Sequence, residues 1–292
     1  MTLNFVERLE RAEIRNDSLL CVGLDPEPVK FPDDWQDDPD RIFDFCSVIV
    51  AVTKDLVKAY KPQIAYFAAH RAEGQLERLI AHIHQEAPWV PVILDAKRGD
   101  IGATAEQYAR EAFVRYRADA VTLSPFMGGD SIEPYMKYDG KGLILLCRTS
   151  NPGGNDLQMQ RLEQGKMLMG RVEGFEKGER LYERVARLAA TEWNRTGQIG
   201  LVVGATYPDE LRRVRELAPT LPLLIPGIGA QGGDAEATVR AGWRRNGPII
   251  VSSSRAVLYA TPNKGEAGQQ ASRRIADASR RQLNAACQSL IA

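Results

Sequence analysis

The stretch VILDAKRGDIGATAEQYA at residues 92–109 sets the fold class of this chain. Its apolar run ends in the charged residues Asp95 and Lys97, a turn follows at Gly99, and helix-forming residues come next. An apolar strand that leads within a few residues into an amphipathic helix is the repeating unit of parallel α/β sheets. The stretch therefore predicts one strand–helix unit with charged side chains at the carboxyl end of the strand.

The same pattern recurs along the 292-residue chain. Short apolar runs predict strands at residues 19–24, 60–67, 90–95, 120–124, 143–148, 199–205, 221–226 and 249–253. Amphipathic segments predict helices at residues 38–58, 72–86, 103–117, 129–138, 178–195, 208–217, 233–243 and 266–290. Eight such units favour a (β/α)8 TIM barrel that forms a single domain over residues 1–292, with an open α/β sheet as the alternative. The long irregular stretch at residues 149–177 predicts an insertion or lid.

Composition argues for a small-molecule ligand. Lys plus Arg and Asp plus Glu number 38 each, so the formal net charge favours neither a nucleic acid nor a membrane surface as partner. His82 and His84 lie two positions apart on a predicted helix and therefore on different faces, so we expect no zinc site.

The amino-terminal segment and the cysteines indicate a cytoplasmic protein. Phe5, Leu9 and Ala12 follow helical spacing with charges between them, which predicts an amphipathic helix and not a signal peptide or membrane span. The four cysteines are far apart in the sequence, and two of them lie inside apolar runs, as reduced buried thiols do.

The charged cluster after the third predicted strand is the strongest candidate for chemistry. Asp95 and Lys97 share one face of a strand, and in a barrel that face opens onto the active site. Asp100 lies beyond the Gly99 turn, so it reaches either its own site or that of a neighbouring subunit. The second predicted strand adds Lys61 at a comparable position, with an ordinary surface lysine as the alternative. The structural alternative is an ordinary Asp95–Lys97 ion pair with Asp100 as a helix cap.

A glycine-rich loop after the seventh strand predicts a phosphate site. The sequence LLIPGIGAQGGD at residues 223–234 places Gly227, Gly229 and Gly232 around Gln231, where backbone N–H groups can approach an anion. The eighth strand ends at Ser254 and Arg255, which can add a hydroxyl and a guanidinium to the same phosphate. The alternative is a structural turn.

Two further polar positions follow strands. Asp25, at the end of LLCVGLD, can accept hydrogen bonds from sugar hydroxyls, although an Asp here also suits a turn. Ser150, within RTSNPGG at residues 148–154, can offer its hydroxyl to a polar ring edge, or can simply mark a turn.

Together these motifs resemble the orotidine 5′-phosphate decarboxylase family, in its longer bacterial branch, type 2. DAKRGDIGATA matches the D-x-K-x-x-D-I signature of that family and the threonine that follows it. The resemblance covers most of the chain, in barrel order, through GLD, KPQIAYF, TLSPF, RTSNPGG, IPGIGAQGG and SSSR. It departs from the family at Ser254, where members often have glycine before the arginine.

The resemblance implies a cofactor-free and metal-free decarboxylation of orotidine 5′-monophosphate to uridine 5′-monophosphate in pyrimidine biosynthesis. It implies a charge network of Lys61, Asp95, Lys97 and, from the other subunit of a homodimer, Asp100. Lys97 would donate a proton to C6 of the pyrimidine. The implied substrate contacts are Asp25 for the ribose, Ser150 for the pyrimidine, Gln231 with Arg255 for the phosphate, and Ile101 and Thr104 from the partner.

Two other functions compete with this one. A metal-dependent decarboxylase or aldolase for a sugar phosphate would use the same barrel, phosphate loop and acidic residues around Mg²⁺. A catalytically silent nucleotide-binding protein would keep the fold without the reaction, although the presence of Asp95, Lys97 and Asp100 together argues against it.

Overall fold

Eight parallel strands form a barrel in this computed structural model, which describes residues 3–162, 178–228 and 233–291. The strands are β1 (Leu20–Leu24), β2 (Ala59–Pro62), β3 (Ile93–Arg98), β4 (Ala120–Leu123), β5 (Gly142–Arg148), β6 (Ile199–Val203), β7 (Leu223–Pro226) and β8 (Ile249–Ser253). Their order in the sheet is β2-β1-β8-β7-β6-β5-β4-β3. Two parallel bridges, Tyr60 to Val92 and Gln63 to Asp95, join the remaining edges. This closure confirms the predicted TIM barrel over the open sheet.

Helices follow the strands and surround the barrel. They are α1 (Phe5–Asn16), α2 (Ile42–Thr53), α3 (Ile64–Ala68), α4 (Glu73–Glu86), α5 (Gly102–Arg110), α6 (Glu133–Met136), α7 (Leu181–Ala190), α8 (Pro208–Leu217), α9 (Ala235–Gly242), α10 (Arg255–Leu258) and α11 (Gly268–Ile291). A π-helical segment, Glu111–Arg115, continues α5. Their apolar faces and the outward side chains of the strands form the larger apolar core.

The barrel interior is a separate apolar core, and helix α1 covers its amino-terminal end. Each strand contributes one buried residue: Cys21, Ala59, Ile93, Ala120, Ile144, Val202, Leu224 and Ile250. Phe5 and Leu9 of α1 join this cluster and close the amino-terminal end of the barrel. Gly142, the first residue of β5, is required for this contact, because a Cβ atom there would lie 2.3 Å from the Phe5 ring. The predicted amino-terminal helix is thus confirmed.

Several predicted boundaries were wrong. The strand predicted at residues 60–67 ends at Pro62, which has no N–H for the sheet, and Gln63 accepts a hydrogen bond from the Ala65 N–H to begin α3. The strand predicted at residues 90–95 instead spans β3, Ile93–Arg98. The helix predicted at residues 129–138 is reduced to α6 and a preceding 3-10 turn, since Pro134 interrupts it. Helices α3 and α10 were not predicted.

The predicted insertion at residues 149–177 is described only in part. A 3-10 turn at Pro152–Asp156 opens it. The Leu162 N–H then donates to the Glu179 carbonyl at 2.7 Å, and Arg161 pairs with Arg180 in an antiparallel bridge. The two ends of the predicted insertion therefore lie side by side, while residues 163–177 lie outside the described residues.

A buried arginine joins the elements that lead to β7 and β8. Arg215 of α8 is 1% exposed, and all its hydrogen bonds in the described residues go to backbone carbonyl oxygens. The six acceptors lie at the ends of α8 and α9 and just before β7 and β8: Gly242, Ala218, Pro219, Leu221, Gly247 and Pro248. Arg215 therefore fixes the parts of the fold from which the phosphate-site loops arise.

The buried carboxylate of Asp119 connects helix α1 to the barrel. Asp119, just before β4, accepts hydrogen bonds from Arg8 of α1 at 2.8 Å, from His84 of α4 at 3.0 Å and from the Val92 N–H at 2.9 Å. Burial alone would raise the pKa of the Asp119 carboxyl, but its bond to His84 and these neighbours lower it below the usual 3.8. Ionised Asp119 thus stabilises the folded state at every pH above that usual value, and the contribution is lost as the pH falls through the lowered pKa.

We expect Asp119→Asn to lower the free energy of unfolding at pH 7 by about 2–3 kcal/mol, because the substitution removes a buried charge with several partners. Urea unfolding at pH 7 and at pH values falling below 3.8 should show the deficit shrink as the native carboxyl also becomes protonated. Asp209→Asn is the matched control, since that side chain is 88% exposed and its loss should leave the urea midpoint unchanged. An unchanged midpoint for Asp119→Asn at pH 7 would contradict this role.

Candidate active site

One cavity of about 610 Å³ opens at the carboxyl ends of the strands. All eight strands or the loops after them contribute to its wall, including Asp25, Lys61, Asp95, Lys97, Thr122, Ser150, Val202, Gly227, Ser254 and Arg255. Parallel strands in a barrel end at a common face, so residues far apart in sequence meet there. The structure thus brings most of the predicted site residues into one cavity.

Asp95 is the centre of the charged cluster. Its Oδ2 atom lies 3.0 Å from the Lys61 Nζ atom, and its Oδ1 atom lies 2.6 Å from the Lys97 Nζ atom. Lys61 and Asp95 are buried, whereas the Lys97 side chain is 45% exposed toward the cavity that it lines. One carboxylate therefore holds two ammonium groups, and one of these remains accessible to a ligand.

The contact between Asp95 and Lys61 favours the charged form of both groups. Burial alone would raise the pKa of the Asp95 carboxyl, but the ammonium groups of Lys61 and Lys97 hold it well below its usual range. Burial also opposes the charged form of Lys61, yet the carboxylates of Asp95 and Asp25 raise the pKa of that ammonium above its usual value. Each group thus favours the charged state of the other.

Thr122 of β4 is a site residue that the sequence analysis missed. Its hydroxyl donates to the Asp95 Oδ1 atom at 2.8 Å and accepts the N–H groups of Ala96 and Lys97, each at 3.0 Å. It is 1% exposed and lies in the apolar run AVTL, where a threonine resembles any strand residue. The motif TLSPF contained it, but nothing in one sequence assigns its hydroxyl to Asp95.

A bulge in β3 aims the Lys97 side chain. The pairing register between β3 and β4 shifts between Leu94 and Arg98, and Lys97 has a φ of 48°, in the left-handed region. Such a conformation costs roughly 1–3 kcal/mol for a residue other than glycine, and bulges commonly redirect side chains beside active sites. Asp95 and Lys97 therefore meet through a distorted strand and not through the regular alternation that the sequence analysis assumed.

Asp25 is held by residues that follow β8. Its Oδ2 atom accepts a hydrogen bond from the Ser254 hydroxyl, and its backbone carbonyl accepts one from the Tyr259 hydroxyl at 3.2 Å. The Asp25 Oδ1 atom is buried and has no hydrogen-bond partner in the described part of the chain. It is thus the kind of acceptor that a ligand hydroxyl can satisfy.

Ser254 lies between Asp25 and Gly23. Its hydroxyl, for which the sequence predicts a phosphate contact, donates a hydrogen bond to the Asp25 Oδ2 atom and lies 3.2 Å from the Gly23 carbonyl oxygen. Gly23 leaves space for it, since a Cβ atom there would lie 2.8 Å from Ser254. Ser254 therefore fills the space between β1 and β8 and orients Asp25.

The predicted phosphate loop is described only at its base. Gly227 has a φ of 106°, and its carbonyl accepts the Gly233 N–H at 3.0 Å, which closes the loop at its neck. Gly229, Gln231 and Gly232 lie outside the described residues. Arg255 lines the cavity and is exposed, and its guanidinium makes no ion pair with any described residue. Such a free cation suits an anionic ligand.

Ser150 reaches the cavity because two neighbours position its loop. Gly204 allows close approach, since a Cβ atom there would lie 2.8 Å from the Ser150 Cα atom. Gln158, within the predicted insertion, accepts the Thr149 N–H at 2.9 Å and donates to the Thr149 hydroxyl at 2.9 Å. The first part of the insertion therefore supports the cavity wall.

Asp100, Ile101 and Thr104 do not line the cavity of their own chain. The Asp100 carboxylate accepts only the Ile101 N–H, at 2.8 Å, among the described residues. Ile101 is 52% exposed, and the neighbouring loop after β4 exposes Phe126 by 78% and Met127 by 46%. The half-buried Asp100 therefore lies outside the cavity, and apolar side chains of its own loop and of the loop after β4 are exposed to solvent.

Two kinds of feature are absent from the described residues, a metal-binding cluster and a membrane-spanning helix. No group of three or more His, Cys, Asp or Glu side chains with metal-binding geometry occurs among them. None of the helices within the described ranges is long and apolar enough to span a bilayer.

Comparisons with known proteins converge on one family. The sequence model described as "Orotidine 5'-phosphate decarboxylase / HUMPS family" matches residues 18–271. The orotidine 5'-phosphate decarboxylase of Leptothrix cholodnii is 68% identical over 290 residues, covering 97% of this chain and 98% of that protein. The enzyme of the same name from Methylibium petroleiphilum is 66% identical over 289 residues, covering 97% of this chain and 100% of that protein.

Solved structures agree with the sequence comparisons. The structure of the OMP decarboxylase of Leishmania donovani superposes with a TM-score of 0.81 at 36% sequence identity. The match covers 98% of this chain and 99% of that one, so the two folds correspond over nearly their whole length.

Proposed function

The chain belongs to the orotidine 5′-phosphate decarboxylase family, and we infer from this that it converts orotidine 5′-monophosphate to uridine 5′-monophosphate and CO2 in pyrimidine biosynthesis. We place the reaction at one site because the Asp95 carboxylate lies between the ammonium groups of Lys61 and Lys97. We propose that the reaction takes place above this cluster, in the cavity at the carboxyl ends of the strands.

Lys97 is the proposed proton donor. When the bond from C6 of the pyrimidine to the carboxylate breaks, its electron pair stays on C6 and CO2 leaves. The Lys97 ammonium stabilises that developing negative charge and then transfers a proton from Nζ to C6, after which it regains a proton from solvent. The support is its accessibility: Lys97 is the exposed member of the cluster and is fixed by Asp95, so little reorganisation is needed.

The remaining contacts are proposed from the cavity wall. The unpartnered Asp25 Oδ1 atom would accept a ribose hydroxyl, and Ser150 would bind the polar edge of the pyrimidine. Arg255, which has no ion pair with any described residue, would bind the phosphate with Gln231 and the backbone of Gly227, Gly229 and Gly232. Binding energy from that remote phosphate then holds the reacting ring against Lys97.

We propose that the reaction needs neither a metal nor an organic cofactor. Both oxygens of Asp95 are occupied, by two ammonium groups and the Thr122 hydroxyl, so a divalent cation would have to displace positive charge to reach it. Loss of the carboxylate as CO2 is redox-neutral overall, because the electron pair of the broken bond stays on C6, so no external redox group is required.

A homodimer is proposed to complete each site. Lys97 has Asp95 as its carboxylate partner among the described residues, and Asp95 is shared with Lys61, so Asp100 of a second copy would add a further negative charge beside Lys97. Asp100 lies outside its own cavity, and its neighbour Ile101 is exposed, as are Phe126 and Met127 of the loop after β4, which is expected of residues covered by a second copy. We propose that Asp100, Ile101 and Thr104 enter the site of the partner.

The proposed location is the cytoplasm. All four cysteines are free, and three of them, Cys21, Cys46 and Cys147, are buried within the core. Free thiols in apolar surroundings suit a reducing compartment.

We expect rapid conversion of orotidine 5′-monophosphate by the purified protein in the presence of EDTA, followed by the change in pyrimidine absorbance. Equal rates with EDTA and with added Mg²⁺ would support a metal-free reaction. A rate abolished by EDTA and restored by Mg²⁺ would contradict it and favour metal-dependent chemistry. No conversion in either condition would overturn the assignment of this activity.

A further inference from the structure

We propose that the ion pair between Arg98 and Glu111 positions the Asp100 loop for insertion into the site of the partner subunit. This inference rests on the shared site proposed above and assigns roles to two residues that lie outside the cavity. Arg98 follows Lys97 directly in β3, and Glu111 is the first residue of the π-helical segment after α5. The two side chains connect the strand that carries Lys97 with the helix that follows Asp100.

Arg98 and Glu111 form a bidentate ion pair, in which the guanidinium contacts both carboxylate oxygens. The Arg98 Nε atom donates to the Glu111 Oε2 atom at 3.1 Å, and its Nη2 atom donates to both carboxylate oxygens at 3.0 and 3.2 Å. The two side chains are only 25% and 22% exposed. The guanidinium also lies 4.7 Å from the centre of the Tyr108 ring. Side-on pairs of this kind fix orientation as well as distance.

The pair encloses the Asp100 loop. Arg98 and Glu111 are thirteen positions apart, and the chain between them contains Gly99, Asp100, Ile101 and α5. Gly99 packs against the Ser124 carbonyl, and Gly102 turns the chain with a φ of 54°. The Asp100 carboxylate itself bonds only to the Ile101 N–H among the described residues. The backbone at both ends of the loop therefore decides where Asp100 projects.

The π-helical turn gives Glu111 its position. Helices usually widen to π geometry only where a function or a packing constraint requires it. Here Phe113 of the widened turn packs against Tyr135 and Tyr138, with ring centres 6.4 and 5.1 Å apart. The turn is thus anchored from α6, and Glu111 is presented to Arg98 from a fixed base.

The first test is Glu111→Gln, which keeps the size of the side chain and removes its charge. We expect kcat to fall on the order of 10- to 100-fold, since a displacement of about 1 Å in a catalytic group has effects of that size, while KM changes little. Glu266→Gln is the matched control, because Glu266 forms a similar side-on pair with Arg274, remote from the site, with bonds of 2.9 Å. An unchanged kcat in Glu111→Gln would overturn the proposal.

The second test separates positioning in the partner from stability within one subunit. Two differently tagged chains, one with Glu111→Gln and one with Lys97→Ala, are coexpressed and the heterodimer is purified through both tags. One of its sites combines an intact Lys97 with an unaltered Asp100 loop, so we expect about half the activity of the unmodified dimer. A heterodimer no more active than the Glu111→Gln homodimer would mean that Glu111 serves its own subunit, and would overturn the proposal.

A control heterodimer of Lys97→Ala with Asp100→Ala distinguishes failure of this inference from failure of the shared site. Recovery in the control without recovery in the Glu111→Gln heterodimer would overturn only the role of the ion pair. No recovery in the control would remove the shared site and this inference with it. Arg98→Lys provides a second variant, which keeps the charge but loses the side-on geometry and should behave as Glu111→Gln does.

Discussion

Lys97→Ala is expected to lower kcat for orotidine 5′-monophosphate on the order of 10⁴-fold or more, because it removes both the charge beside C6 and the proton donor. The fold should persist, since the Lys97 side chain is 45% exposed and contributes nothing to the apolar core. The measurement is the single-turnover rate by absorbance, together with the unfolding midpoint of the variant. Without Lys97, Asp95 keeps Lys61 and Thr122 as partners and stays ionised.

Two comparison variants make this result specific. Lys54→Ala removes a partly exposed lysine that pairs with Glu86, away from the cavity, and should leave kcat unchanged. Arg255→Ala should chiefly raise KM, because a phosphate contact is made in the ground state as well as in the transition state. A Lys97→Ala protein with near-normal kcat would remove Lys97 from the role of proton donor.

Asp100→Ala is expected to lower kcat by about 10²- to 10³-fold, as the loss of one preorganised charge does in other active sites. The loss arises in the partner, so a heterodimer of Asp100→Ala with Lys97→Ala should regain about half the activity of the unmodified dimer. One site of that heterodimer has both residues, and the other has neither.

The homodimers of each variant, measured alone, are the controls for this recovery. Activity of the heterodimer should also fall on dilution below the dissociation constant of the dimer, because the intact site then separates. A heterodimer as inactive as its two parents would show that Asp100 acts within its own chain, or not at all.

The barrel could be predicted from the sequence because each of its strands is a short apolar run between turn residues. The prediction for residues 249–253 agrees with β8, Ile249–Ser253, and that for residues 143–148 differs from β5 by one residue. The strand predicted at residues 60–67 was wrong for a local reason. Tyr66 and Phe67 have strand-forming side chains, yet Pro62 ends the hydrogen-bonded ladder before them.

The site was predictable in position and not in detail. Parallel strands end on one face, so Asp25, Lys61, Asp95 and Arg255 were expected near one another and line one cavity. The contribution of Thr122 was not predictable, because it depends on a bulge in the neighbouring strand that places two N–H groups on its hydroxyl. The orientation of Ser254 toward Asp25 likewise depends on the space beside Gly23, which only the packed barrel defines.

Arg215, which donates only to backbone carbonyl oxygens among the described residues, should make the base of β7 and β8 insensitive to salt. Dissolved ions weaken exposed charge pairs such as Arg240 with Glu236, since the Debye length is only about 8 Å at 0.15 M. Arg215 has no counter-ion among the described residues and is solvated by fixed dipoles, as a potassium ion is within an ionophore. The frame that carries Arg255 should therefore hold its geometry in concentrated salt. A loss of substrate affinity there would report anions competing for the phosphate position, not a loosened barrel.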